Sequence, residues 1–225
     1  MSWLLRAITS SIGKKLVMAI TGLALCGFLV AHLAGNLLLY AGDGGKSYDH
    51  YAETLHAQKI LLPVAEVGLL VLFLLHLSMA FRTHLENKAA RPVAYEVRQS
   101  KLPPGPLLKP ASAVMFGTGI IILLFLLLHL SDFRLGLRNS ALVVGKTQFE
   151  RAVILLRDPL TTIVYIVGSL TLGYHVLHGL QSAFQTLGLN HPKYTPLVKW
   201  ISRAFALVVA LGFASFPLWA WAFHS

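Results

Sequence analysis

Five apolar stretches, each long enough to cross a bilayer, leave this chain few folds to choose from. Between Lys15 and Asp43 there is no acidic or basic residue apart from one histidine. A run of about 20 apolar residues matches the hydrocarbon thickness of a membrane. The apolar residues come in continuous runs rather than in alternation, which favours helices. Composition agrees: 56% of residues are hydrophobic and 12% charged, with a mean hydropathy of +0.66, against roughly 25% charged in ordinary soluble domains. The expected fold is an all-α, transmembrane five-helix bundle forming one domain over residues 1–225, with spans at about 16–41, 59–81, 110–133, 159–187 and 197–223.

The joints between spans carry turn formers. Gly42-Asp43-Gly44-Gly45 ends the first span, Pro103-Pro104-Gly105-Pro106 precedes the third, and Asn190-His191-Pro192 precedes the fifth. Pro63 falls in the first turn of span two, where proline is tolerated. The first span is too long for a signal-peptide core and lacks a small-residue cleavage site, so it is expected to remain as a helix. The lone Cys26 allows no intrachain disulfide and reads as a small packing residue.

The net charge of +10 would suit nucleic acid, but the cations gather between spans, as membrane topology requires. Twelve Lys and Arg lie on the N-terminal side: Arg6, Lys14 and Lys15, then Arg82, Lys88, Arg91, Arg98, Lys101 and Lys109, then Lys193, Lys199 and Arg203. Seven lie on the other side. The expectation is an N-terminus inside and a C-terminus outside.

Four spans carry a histidine deep within apolar sequence. At 1.5 Å per residue, His32 lies roughly 25 Å along the outward-running first span and His129 roughly 28 Å along the third. His76 and His175 lie roughly 24 Å along the inward-running second and fourth spans. The four fall into an outer pair, His32 with His129, and an inner pair, His76 with His175. A single intramembrane histidine can serve simply as a hydrogen-bonding group between helices, but four matched by depth point to function. Two imidazoles facing across a bundle are what a six-coordinate haem iron needs, so these four are the expected metal ligands. Gly35 and Gly179 are expected to leave room for a flat macrocycle. His178, one turn from His175, is a rival ligand. His84 reads as interfacial, and His50, His56, His191 and His224 as solvated.

Ser10-Ser11-Ile12-Gly13-Lys14-Lys15 together with Ala31-His32-Leu33-Ala34-Gly35-Asn36 resembles the opening of the cytochrome b membrane subunits of succinate dehydrogenase and fumarate reductase, of the two-haem, five-helix, single-anchor type. The stretch from Tyr174-His175 through His178-Gly179 to Leu187-Gly188 is similar to the fourth-helix motif of that family, and the likeness covers essentially the whole chain. The resemblance implies two haems b, the inner one on His76 and His175 and the outer one on His32 and His129, with His178 beside a haem propionate. It implies a flavoprotein subunit and an iron–sulfur subunit as partners, in a bacterial cytoplasmic membrane. It also implies a membrane quinone, expected to be menaquinone, near the outer haem. This chain itself has no dinucleotide fingerprint and no cysteine set for a cluster.

Quinone reduction consumes protons, and Glu66 reads as the one acidic residue inside a span, near the level of His32 and His129. It is the expected proton carrier, the plainer reading being a hydrogen bond to a neighbouring helix. Among the basic residues at the inner ends (Lys14, Lys15, Arg82, Lys199 and Arg203), Arg82 is the first choice for a propionate contact, although most of them suffice as topology signals. Other readings remain: the haem-b subunit of a hydrogenase or formate dehydrogenase, an enzyme working as a fumarate reductase, or a haem-free transporter or anchor.

Overall fold

A computed structural model describes residues 3–90, 111–138 and 140–224. Nine α-helices are described: α1 (Trp3–Thr9), α2 (Ser11–Asn36), α3 (Lys46–His56), α4 (Leu61–Ala89), α5 (Ala111–His129), α6 (Ser140–Val143), α7 (Gln148–Leu156), α8 (Pro159–Thr186) and α9 (Thr195–Phe223). Five of them, α2, α4, α5, α8 and α9, are long and apolar enough to cross a membrane, so the chain is an all-α bundle of the multi-pass type. The end bearing the N-terminus is termed here the N-side, the opposite end the C-side. The proline-rich joint at 103–106, the start of span three at Pro110, and Arg91, Arg98, Lys101 and Lys109 lie outside the described residues.

Helix starts follow local chemistry. The Ser10 hydroxyl accepts from Gly13 N at 3.0 Å and opens α2. Thr147 and Glu150 form a reciprocal capping box on α7. Asp158 caps α8 by accepting from Thr161 N, with Pro159 in the first turn.

Helix α8 is the centre of the bundle, touching α2, α5 and α9, while α4 lies against α2. The seam between α8 and α9 depends on small residues: a Cβ on Gly173 would come within 2.5 Å of Ala210 Cβ and 2.9 Å of the Ala206 carbonyl. In α4 no residue is fully buried, and its leucines and valines face outward, as a lipid-facing helix requires.

Four features depart from the sequence expectation. Helix α4 continues to Ala89, eight residues past Phe81, because a polar tail still satisfies its backbone and Glu86 pairs with the buried Lys14 of α2. The C-side connections are not open loops. Helices α3 and α7 fold over the bundle end, where Asp49 accepts from Phe149 N at 2.8 Å and Gly45, with φ 91°, lies flush under the Phe149 ring. His50 and His56 therefore sit on a helix, though exposed as expected. The third span ends in a π-helical turn, Leu130–Arg134, closed by Leu135 N donating to the Leu130 carbonyl at 2.8 Å. His224, expected to be solvated, instead packs edge-on against Trp219, with ring centroids 4.4 Å apart.

Candidate functional site

The structure brings His32 of α2 and His129 at the end of α5 face to edge, with ring centroids 5.7 Å apart and ring planes at 87°. Aromatic rings surround them. Phe28 stacks on His32 at 5.2 Å, Phe213 of α9 lies 5.6 Å from it, and Phe125 and Phe133 flank His129 at 5.9 and 5.4 Å. The Tyr165 hydroxyl of α8 lies 3.1 Å from His129 Nδ1, and Asn36 is one turn past His32, its amide nitrogen 3.5 Å from the Nδ1.

The second pair lies at the N-side level. His76 of α4 is held by Thr21 of α2, whose Oγ1 is 3.2 Å from the ring Nδ1. His175 of α8 is held by Thr118 of α5, with Oγ1 3.0 Å from Nδ1. His178 is placed differently: it packs edge-on against Tyr174 at 5.0 Å. His84 stacks flat on Phe116 at 3.8 Å.

The expected roles of the glycines shift. A Cβ on Gly35 would fall 2.6 Å from the Tyr51 hydroxyl, so Gly35 makes room for Tyr51 of α3 rather than for a macrocycle. Gly179 has only the tip of Met115 nearby, at 3.9 Å. The glycines flush with the N-side histidines are Gly22 and Gly119, whose Cβ positions lie 3.3 Å from His76 Cε1 and 3.8 Å from His175 Cε1.

Glu66 does not stand alone. Arg134, in the π-helical turn, donates from Nε and Nη2 to its two oxygens, both at 2.9 Å. Nor is it the one acidic group in a span: Asp132 lies within the expected third span and is fully buried. Arg138 Nε donates to Asp132 at 2.8 Å, and Arg138 Nη2 donates to Asp158 and to Thr161, both at 2.7 Å. The Thr161 backbone N–H donating to Asp158 is the main reason that carboxyl titrates below the usual range, with Arg138 adding to it. Arg82 is exposed at the N-side end of α4, whereas the charge of Lys14 is taken up by Glu86. Lys199 and Arg203 line a groove of about 580 Å³ with Asn190 and Thr195.

These positions can be tested against a haem. With metal–imidazole bonds of about 2.0 Å, two axial rings have centroids about 6 Å apart, and the His32–His129 separation is close to that. Both N-side rings have their Nδ1 occupied by a threonine, which leaves Nε2 as the ligating atom. The spacing of His32 and His129, and the Nε2 atoms that the threonine contacts leave on His76 and His175, are compatible with ligation of such a group. Thr21, Thr118, Tyr165 and Asp132 are not among the sequence candidates, yet the two threonines carry a signal. Thr-Gly precedes His32 by eleven residues and His129 by eleven, with Phe four residues before each histidine. Comparison of the chain with protein-family models, with curated proteins and with solved structures returns no match.

Proposed function

We propose that this chain is the di-haem cytochrome b membrane anchor of a succinate:quinone oxidoreductase. It would receive electrons from an iron–sulfur subunit docked on the N-side, itself served by a flavoprotein subunit, and deliver them to a membrane quinone near the C-side. The observation that carries the reading is four intramembrane histidines, with His32 and His129 ring to ring at the C-side and His76 and His175 each set against a threonine at the N-side. The likeness of the α2 and α8 motifs to that family supports it.

His76 with His175, and His32 with His129, would hold the two haems. Such a group, when bound, would supply one-electron uptake and release at its level. The chain supplies the rest. The aromatic rings about His32 and His129 exclude water and other small ligands from the C-side pair. Arg82, Lys199 and Arg203 offer cations at the N-side end, for propionates and for an acidic docking face. Movement of one electron from N-side to C-side across the whole membrane gains about 2.3 kcal/mol per 100 mV if the N-side is the negative compartment. That assistance suits a low-potential acceptor such as menaquinone.

Quinone reduction needs protons as well as electrons. Glu66 is the proposed carrier, and Arg134 holds it in place by donating to both of its oxygens. An apolar groove of about 380 Å³ between α5 and α8, lined by Phe125 and Gly168, offers an approach from lipid to the neighbourhood of His129.

The test is a visible spectrum of the chain purified with whatever subunits accompany it. Two low-spin haems per chain, reducible by succinate through co-purified flavin and iron–sulfur subunits, support the proposal. A colourless, haem-free chain refutes it.

A further inference from the structure

Each of the four central histidines has a polar neighbour at Nδ1, but only the N-side pair has neighbours whose own protons are committed. The Thr21 hydroxyl donates to the Val17 carbonyl, one turn back on α2, at 2.7 Å. The Thr118 hydroxyl donates to the Met115 carbonyl on α5 at 3.0 Å. A hydroxyl has one proton. Once it is given to the helix backbone, the oxygen can only accept from the histidine. Nδ1 of His76 and of His175 must therefore carry the hydrogen, and Nε2 must carry the lone pair. That is the tautomer a metal requires.

The C-side pair is not fixed in this way. Tyr165 has no second acceptor for its hydroxyl among the described residues, so it can donate to His129 or accept from it. Asn36 already donates to the His32 carbonyl at 2.7 Å and turns the same amide nitrogen toward His32 Nδ1.

The origin of the difference lies in α2 and α5. Eleven residues separate Thr21 from His32 and Thr118 from His129, a rise of about 16 Å. Each helix thus gives a histidine to one level and a threonine to the other. Gly22 and Gly119, next to the threonines, let the opposing rings come flush with the helix.

We infer that Thr21 and Thr118 are positioning residues that lock His76 and His175 as Nδ1–H donors, pre-setting the N-side level, and that level alone, for an Nε2-ligated metal group. This rests on the haem reading of the site. An acceptor at Nδ1 makes the imidazole more basic and favours the oxidised iron, so its loss should raise the potential of the N-side haem.

The experiment is redox titration of both haems, followed by their visible spectra, in the assembled complex carrying Thr21→Val, Thr118→Val or Thr21→Ser. The expected result is an upward shift in the midpoint of one haem, the same one in both valine variants. The second haem should stay unchanged, and the serine variant should return to the wild-type midpoint. If a valine variant does not accumulate, ring-nitrogen NMR of the Thr21→Ser and wild-type proteins gives the tautomer directly, and a His76 ring with hydrogen on Nε2 overturns the inference. Two intact haems with unshifted midpoints in the valine variants also overturn it and leave the haem reading standing. A wild-type chain without haem overturns both.

Discussion

Replacing Arg138 by alanine should damage this protein more than its partly exposed position suggests. The Asp132 side chain has no solvent exposure, whereas that of Arg138 has 25%. Among the described residues the Asp132 carboxylate accepts from Arg138 Nε at 2.8 Å and otherwise only from the Thr161 hydroxyl at 3.3 Å. That hydroxyl has one proton, and Asp158 competes for it at 2.9 Å. Without Arg138 the buried carboxylate keeps one shared, neutral hydrogen bond. Removing one partner of a buried ion pair typically costs about 3–5 kcal/mol, and the low end applies here because Arg138 is itself partly hydrated. Asp132→Asn removes the charge and leaves Arg138 with Asp158, so it should cost about 1–2 kcal/mol, close to one charge-assisted hydrogen bond. Arg138→Ala combined with Asp132→Asn should then be less harmful than the two separate losses together, with a coupling of about 2 kcal/mol. The assay is reversible unfolding in mixed micelles at increasing SDS fraction, followed by circular dichroism. Additive losses, or an Arg138→Ala variant within about 0.5 kcal/mol of wild type, the range of an ordinary surface change, would falsify the buried-pair account. The same cluster sets an acid limit. Asp158 titrates below its ordinary 3.8, so its contribution is complete above that value and disappears as the pH falls through the lower folded value.

Gly173→Ala should lower stability by about 1–3 kcal/mol, because the new methyl meets Ala210 and the backbone of α9. Gly68→Ala, with open space around it, should be neutral or gain up to about 1 kcal/mol; equal effects of the two would contradict the close α8–α9 seam. Glu66→Gln should slow quinone reduction several-fold while both haem spectra remain unchanged, measured by succinate-driven reduction of a soluble quinone analogue. A wild-type rate in that variant removes Glu66 as proton carrier.

The five membrane-crossing helices were legible because hydrophobic length is a one-dimensional property. The approach of His32 to His129 is legible because helix rise converts residue number into depth. What depended on a second element was not. Glu66 looked isolated because Arg134, 68 residues away, is turned toward it by a π-helical turn that carries no obvious signature. Gly35 reads as space for a cofactor in the sequence, since nothing in its own neighbourhood reveals that Tyr51 folds back over it. Asp132 was overlooked at the very edge of a span, where apolar counting is least sharp. Helices α3 and α7 are short and amphipathic, and acquire an apolar surface to cover only after the long helices have assembled. Hydropathy places the end of α4 eight residues early because it reports where lipid ends, whereas the helix stops where its hydrogen bonding does.

The most direct test of the two-level arrangement is haem content and spectrum after replacing each of His32, His129, His76 and His175 singly by alanine. Every variant should retain one haem of the two. His32→Ala and His129→Ala should leave the same residual spectrum, His76→Ala and His175→Ala should leave the other, and His178→Ala should keep both haems. If the two members of a pair leave different spectra, or if losing His178 mimics losing His76, the pairing is wrong.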